Sequence, residues 1–159
     1  MKIIKLILYT AFAGVMTASL SVAAMGTYSA KLAGKEEVPA TNSRATGDVV
    51  FTLSADGKEI TYVLKVKGIE NATAAHIHAG KKGSEGGVVA GLFAGPKKEG
   101  KFSGELAKGT ITDKNLVGPL AGKTLADLIA MMKSGDTYVN VHTAKNPKGD
   151  IRGQISYKP

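Results

Sequence analysis

The chain contains three histidines, and their spacing indicates metal chemistry. His76 and His78 are separated by one residue, whereas His142 lies much later in the chain. Around both positions, small, β-branched and aromatic residues alternate with polar ones, which predicts two β-strands. Side chains two positions apart share one face of a strand, so His76 and His78 project together while Ile77 points to the other face. If the two strands are neighbours, the three imidazoles lie on outward faces and converge on one metal ion.

Imidazole nitrogen binds both copper(II) and zinc, and three imidazoles with one open position are typical of catalytic zinc sites. The chain has no cysteine, so thiolate ligands are excluded and a soft copper(I) site is disfavoured. The sequence therefore predicts a metal site of His76, His78 and His142 that holds copper, with zinc as the alternative. Because neutral imidazole is the ligand, metal binding is expected to weaken as the pH falls through about 6–7, the ordinary range of histidine.

Asp150, a short distance after His142, is a candidate carboxylate that could complete this metal site. The alternative is that Asp150 pairs with Arg152 or caps the turn before the last strand. No Ser-His-acid arrangement is suggested, so the sequence predicts no catalytic residues, and whether the protein is an enzyme stays open.

The elements that must position the histidines are short strands separated by turns, interrupted by one helix. Leu125, Leu128, Ile129 and Met132 fall at helical spacing within residues 124–134, and Gly135 can end the helix. Many short strands with glycine-rich turns predict an all-β fold, an antiparallel β-sandwich with one short helix. The predicted strands are residues 28–32, 48–53, 59–66, 74–79, 88–93, 102–106, 138–143 and 150–157.

The first residues have the pattern of a secretory signal peptide. Lys2 and Lys5 precede an apolar run to about Leu20, and small residues follow at positions 21–24. The run is too short and too polar for a stable membrane span. We expect residues 1–24 to be a signal peptide and residues 25–159 to be the mature domain, which is periplasmic or secreted and has no membrane span.

The formal net charge is +8, and removal of Lys2 and Lys5 with the signal peptide leaves +6. Nearly all the basic residues are lysines spread along the chain, with arginine at positions 44 and 152 alone. Nucleic-acid sites combine arginine, aromatic residues and a dense basic stripe, so nucleic acid is not a predicted partner. A dispersed basic surface is compatible with attraction to anionic envelope polymers.

Three ordered motifs resemble the CHRD domain, the module named after chordin and found alone in many exported bacterial proteins. They are LAGKEEVP at residues 32–39, AHIHAG at 75–80, and YVNVHT at 138–143 followed by NPKGDIRGQI at 146–155. The resemblance covers nearly the whole mature chain and departs at Ala40, where the family often has a second proline. It implies an immunoglobulin-like, Greek-key β-sandwich without an established common activity.

A more local similarity, His76-Ile77-His78 with a distant His142 and Arg152, is to copper-zinc superoxide dismutases. These enzymes also place a His-x-His pair on a strand of a Greek-key barrel, but their metal sites use more histidines than this chain has. The leading hypothesis is an exported protein that binds copper for buffering, delivery or redox protection. The alternatives are a non-enzymatic interaction module that binds a protein or envelope polymer, and a dismutase-like metalloenzyme.

Overall fold

The computed structural model describes residues 26–158, and the predicted signal peptide, residues 1–24, lies outside them. Within this range the chain forms eight β-strands, one α-helix and three short 3₁₀ turns. The strands are β1 Gly26–Ala33, β2 Thr46–Leu53, β3 Ile60–Ala79, β4 Val88–Phe93, β5 Lys98–Ile111, β6 Thr137–Thr143, β7 Ile151–Gln154 and β8 Ser156–Lys158. The helix α1 is Leu125–Ser134, and the 3₁₀ turns are Gly34–Glu36, Asp113–Asn115 and Gly118–Leu120.

The strands pair antiparallel and close into a barrel-like ring. β1 pairs with β2, β2 with β3, β3 with β6, and β6 with β7. β7 returns to β1 through Ala33 opposite Arg152, and β4, β5 and β8 extend the sheet from β3 and β1. The prediction of an all-β antiparallel fold with one helix is confirmed. The immunoglobulin-like sandwich stays a prediction, because hydrogen bonds join these strands into one ring.

The core lies inside the ring, and α1 packs against it with the predicted face. The four apolar residues at helical spacing are all buried, namely Leu125, Leu128, Ile129 and Met132. The Asp127 carboxylate accepts a hydrogen bond from the Thr124 N–H at 2.9 Å, and Gly135 ends the helix in the left-handed conformation at φ 73°. Among the described residues, no helix has both the length and the apolar character needed to cross a bilayer.

β3 determines which way the first two histidines point. The sequence predicted separate strands at 59–66 and 74–79, but the structure has one strand of 20 residues. Even-numbered residues such as Leu64 face the core in its first half, whereas odd-numbered Ile77 does so near its end. Register shifts between Val66 and Ile69, Glu70 and Ala72, and Ala72 and Ala74 reverse the alternation. These bulges turn the even-numbered histidines onto the outer face.

Two further strand boundaries differ from the prediction. β5 extends well beyond residues 102–106, because its polar residues pair with the long β3 through backbone hydrogen bonds. Such bonds do not require apolar side chains. The predicted strand 150–157 is interrupted at Ile155, which is buried. The Ile155 N–H donates to Thr137 O at 3.0 Å, so the chain divides here into β7 and β8.

Candidate metal centre

The three predicted histidines meet on the outer face of β3 and β6. His76 lies opposite Asn140, and His142 lies opposite Ala74, so His76 and His142 are diagonal neighbours across the strand pair. The ring centres of His76 and His142 are 4.9 Å apart, and that of His78 is 5.8 Å from His76 and 6.1 Å from His142. One nitrogen from each ring lies within 4.8 Å of the other two. This group of three nitrogens could hold a metal ion.

Backbone carbonyls orient two of these rings. His142 Nδ1 lies 3.0 Å from Pro147 O, and His78 Nδ1 lies 2.9 Å from Gly86 O. A carbonyl oxygen only accepts hydrogen bonds, so Nδ1 must carry the hydrogen in both rings and Nε2 keeps its lone pair. A carbonyl that holds the second nitrogen of a ligand imidazole is typical of metal sites.

The Nε2 lone pairs of His142 and His78 have different surroundings. His142 Nε2 accepts a hydrogen bond from His76 Nδ1 at 2.9 Å, an assignment that follows from the hydrogen on His142 Nδ1. His78 Nε2 is buried and has no hydrogen-bond partner within residues 26–158. A cation bound between the three rings would satisfy His78 and replace the hydrogen that His76 and His142 share.

The site favours neutral imidazole. Burial lowers the pKa of His76 from 6.5 to about 4, with further lowering by the neighbouring His142 and His78. Burial is also the largest cause that lowers the pKa of His78 and of His142. Protons are therefore expected to compete with a metal only below the range of about 6–7 that the sequence alone indicated.

A stack of side chains supports His78 from behind. The Tyr138 ring lies parallel to His78, with the ring centres 5.0 Å apart, and the Arg152 guanidinium lies 3.4 Å from the centre of the Tyr138 ring. Arg152 also donates to Ser84 O at 2.7 Å and to Lys81 O at 3.2 Å. These contacts hold the loop of residues 80–87, and that loop supplies the Gly86 carbonyl to His78.

Sequence reasoning assigned Tyr138 no role and assigned Asn140 only a hydrogen bond to a neighbouring loop, which Asn140 Nδ2 makes to Lys148 O. A signal that both belong to the histidine face was nevertheless present. Tyr138, Asn140 and His142 alternate along β6 with buried Val139 and Val141. The period of two therefore places all three on one outer face. Arg152 entered as a possible partner of Asp150 and through the dismutase resemblance. The structure gives it a different role, because its guanidinium is buried beneath the loop and holds backbone carbonyls.

Asp150 is not part of the histidine group. Its carboxylate accepts hydrogen bonds from Ser43 Oγ at 2.7 Å and from the Asn146 side chain. No ion pair between Asp150 and Arg152 is found in the described part of the chain, so the predicted pairing is wrong. The bonds to Asn146 and Thr143 stabilise the turn of residues 143–150, as the other alternative proposed. Asp150 thereby shapes the loop that carries the Pro147 carbonyl.

The fold and the site define a barrel-like β domain with a histidine cluster on its outer surface. The chain matches the CHRD domain family over residues 28–155, a range that contains all the site residues. It therefore belongs to the CHRD domain family, as its three motifs indicated. No curated protein matches the chain in sequence.

The shifted pKa values predict that acid destabilises the metal-free protein. In the unfolded chain the histidines titrate near 6.5, whereas folding lowers the pKa of His76 to about 4. Between these pH values the unfolded state binds more protons, so the free energy of unfolding falls as the pH falls. Burial raises the pKa of Glu37 from 4.5 to about 7, against the lowering effect of Arg152, and this acts in the opposite direction.

The opposing effects of His76 and Glu37 are of similar size, so the lowered pKa values of His78 and His142 decide the sign. We therefore expect the free energy of unfolding to fall between pH 7 and pH 4.5. Urea unfolding at a series of pH values measures it. Glu37→Gln removes the opposing contribution and should make the decline steeper. A free energy of unfolding that rises on acidification would contradict the prediction.

Proposed function

We propose that this CHRD domain binds copper(II) through His76, His78 and His142, and that it buffers or delivers the metal outside the cytoplasm. The observation that carries the proposal is the convergence of three imidazole nitrogens within 4.8 Å of one another. Two of the rings are already held in the tautomer that keeps the hydrogen on Nδ1 and the lone pair on Nε2. Neutral rings held by backbone carbonyls favour metal binding, because His78 and His142 need neither rotate nor lose a proton. At His76 the metal takes the place of the hydrogen on Nδ1.

The donor set favours copper(II) over zinc. The three candidate ligands are all imidazole nitrogens. Copper(II) stands above zinc in intrinsic affinity for nitrogen ligands.

The surroundings of the site suit a metal that enters and leaves. His76 faces Gly91 on β4, and a Cβ atom built on Gly91 would meet no atom within 4 Å, so this edge of the site is open. His76 and His142 are half-buried rather than enclosed. An accessible edge supports buffering or delivery, in which the ion must pass to another ligand. Redox protection follows as a consequence, since bound copper is withheld from uncontrolled reactions.

Export belongs to the same proposal. The basic start, the apolar run and the small residues of positions 1–24 support a signal peptide, which would place the domain in the periplasm or outside the cell. The immunoglobulin-like arrangement implied by the family resemblance is likewise proposed as a closer description of the ring.

Metal titration tests the proposed function. The protein is purified, stripped with a chelator and titrated with copper(II) and with zinc in separate calorimetric experiments at pH 7.4. We expect one copper(II) ion per chain and tighter binding of copper(II) than of zinc. Tighter binding of zinc would reverse the metal assignment. Absence of binding by the folded protein would overturn the proposed function and leave the interaction-module hypothesis.

A further inference from the structure

Asn140 occupies the centre of the histidine site without an assigned role. It lies on the outer face of β6 between Tyr138 and His142, and directly opposite His76 on β3. Its side chain is only 3% exposed. A buried amide on the face that carries the histidines must have its polar atoms satisfied, because an unpaired buried polar group is costly.

Only half of this amide has a partner. Asn140 Nδ2 donates to Lys148 O at 3.3 Å. Asn140 Oδ1 is buried and has no hydrogen-bond partner within residues 26–158. The nearby His78 Nε2 is also buried and without a hydrogen-bond partner. It cannot donate, because the hydrogen of that ring is on Nδ1 and points to Gly86 O. The site therefore contains two buried atoms, Asn140 Oδ1 and His78 Nε2, whose lone pairs accept no hydrogen bond.

Exchanging the two ends of the amide moves the conflict without removing it. In the flipped orientation Nδ2 could donate to His78 Nε2, but Oδ1 would then oppose the Lys148 carbonyl oxygen. The Asn140 side chain lies within hydrogen-bonding reach of His78. A cation bound between His78 Nε2 and Asn140 Oδ1 would therefore accept both lone pairs.

We propose that Asn140 Oδ1 is the fourth donor atom of the metal centre, completing a set of three imidazole nitrogens and one amide oxygen around copper(II). The inference rests on the proposed function and extends it to the full donor set. Mixed nitrogen and oxygen ligands in a tetragonal arrangement are typical of copper(II). The hydrogen bond from Nδ2 to the loop carbonyl keeps Oδ1 turned toward the histidines, as second partners do for other metal ligands.

Two substitutions test this assignment. Asn140→Leu keeps the approximate volume and removes the oxygen, so copper(II) affinity should fall about ten- to hundred-fold. Asn140→Asp substitutes a charged oxygen donor, and copper(II) should bind about tenfold or more tightly than to the wild type. Both should alter the hyperfine pattern of the copper(II) electron paramagnetic resonance spectrum, which a merely structural residue would leave unchanged.

Asn115→Asp is the matched control for the added charge. It introduces the same group in the 3₁₀ turn Asp113–Asn115, where the side-chain oxygen can still accept from the Thr112 N–H. This variant should keep the wild-type spectrum and affinity. Unchanged affinity and an unchanged spectrum in Asn140→Asp, the variant that best preserves the fold, would overturn the assignment while leaving the three-histidine site intact. Failure of the wild type to bind copper would instead refute the proposed function.

Discussion

Replacement of His142 by alanine is expected to abolish tight copper(II) binding. The substitution removes one of three converging nitrogens and also the hydrogen bond to Pro147 O that positions the loop of residues 144–150. Loss of a partner that only orients a metal ligand costs ten- to hundred-fold in affinity, so loss of a ligand should cost more than about a hundred-fold. Calorimetric titration of the wild type and the variant measures the difference.

The fold should survive this substitution. His142 is on the outer face of β6, whereas Val141 and Val139 fill the core from the other face. We expect the free energy of unfolding to fall by only about 1 kcal/mol, from the hydrogen bonds that the ring makes. Lys145→Ala is the matched control, because its side chain is exposed on the same loop and is not a metal ligand. Equal copper affinity in His142→Ala and Lys145→Ala would exclude the three-histidine site.

The second large effect is expected from Gly86→Ala, a substitution that adds one methyl group. A Cβ atom at Gly86 would overlap the backbone carbonyl of Ala79, and no side-chain movement can relieve a clash with backbone. The loop must therefore move and withdraw the Gly86 carbonyl from His78 Nδ1. His78 would then rotate and change tautomer freely, and copper affinity should fall about ten- to hundred-fold.

Gly83→Ala separates this effect from the general cost of altering the loop. Gly83 has φ 80°, and a Cβ atom there would meet no atom within 4 Å. Alanine at this position would have to adopt a left-handed backbone conformation, which costs about 1 kcal/mol, but it would displace no neighbour. Copper affinity should therefore stay close to that of the wild type. Equal copper affinities in the two alanine variants would mean that the Gly86 carbonyl does not position His78.

Local sequence pattern was sufficient to predict the buried face of the helix and the direction in which the histidines point. The apolar spacing of Leu125, Leu128 and Met132 predicted the buried face of α1, because a helix of 3.6 residues per turn leaves only one face for the core. Alternation around His76, His78 and His142 predicted outward-facing imidazoles on strands. Both inferences depend only on patterns that repeat every few residues. Such patterns can be recognised without knowing which distant segments the chain contacts.

Only the tertiary structure decided how the site is built. The even-numbered face of β3 would have carried His76 and His78 into the core if its register shifts had not reversed the alternation, and those shifts depend on pairing with β5 and β6. The tautomers of His78 and His142 depend on carbonyls of Gly86 and Pro147, which every residue type possesses. The sequence therefore determined which imidazoles are available for metal binding. Long-range strand pairing and loop closure determined their orientation. The atoms that position the rings are backbone carbonyls, which are the same in every residue type and therefore cannot be recognised from the sequence.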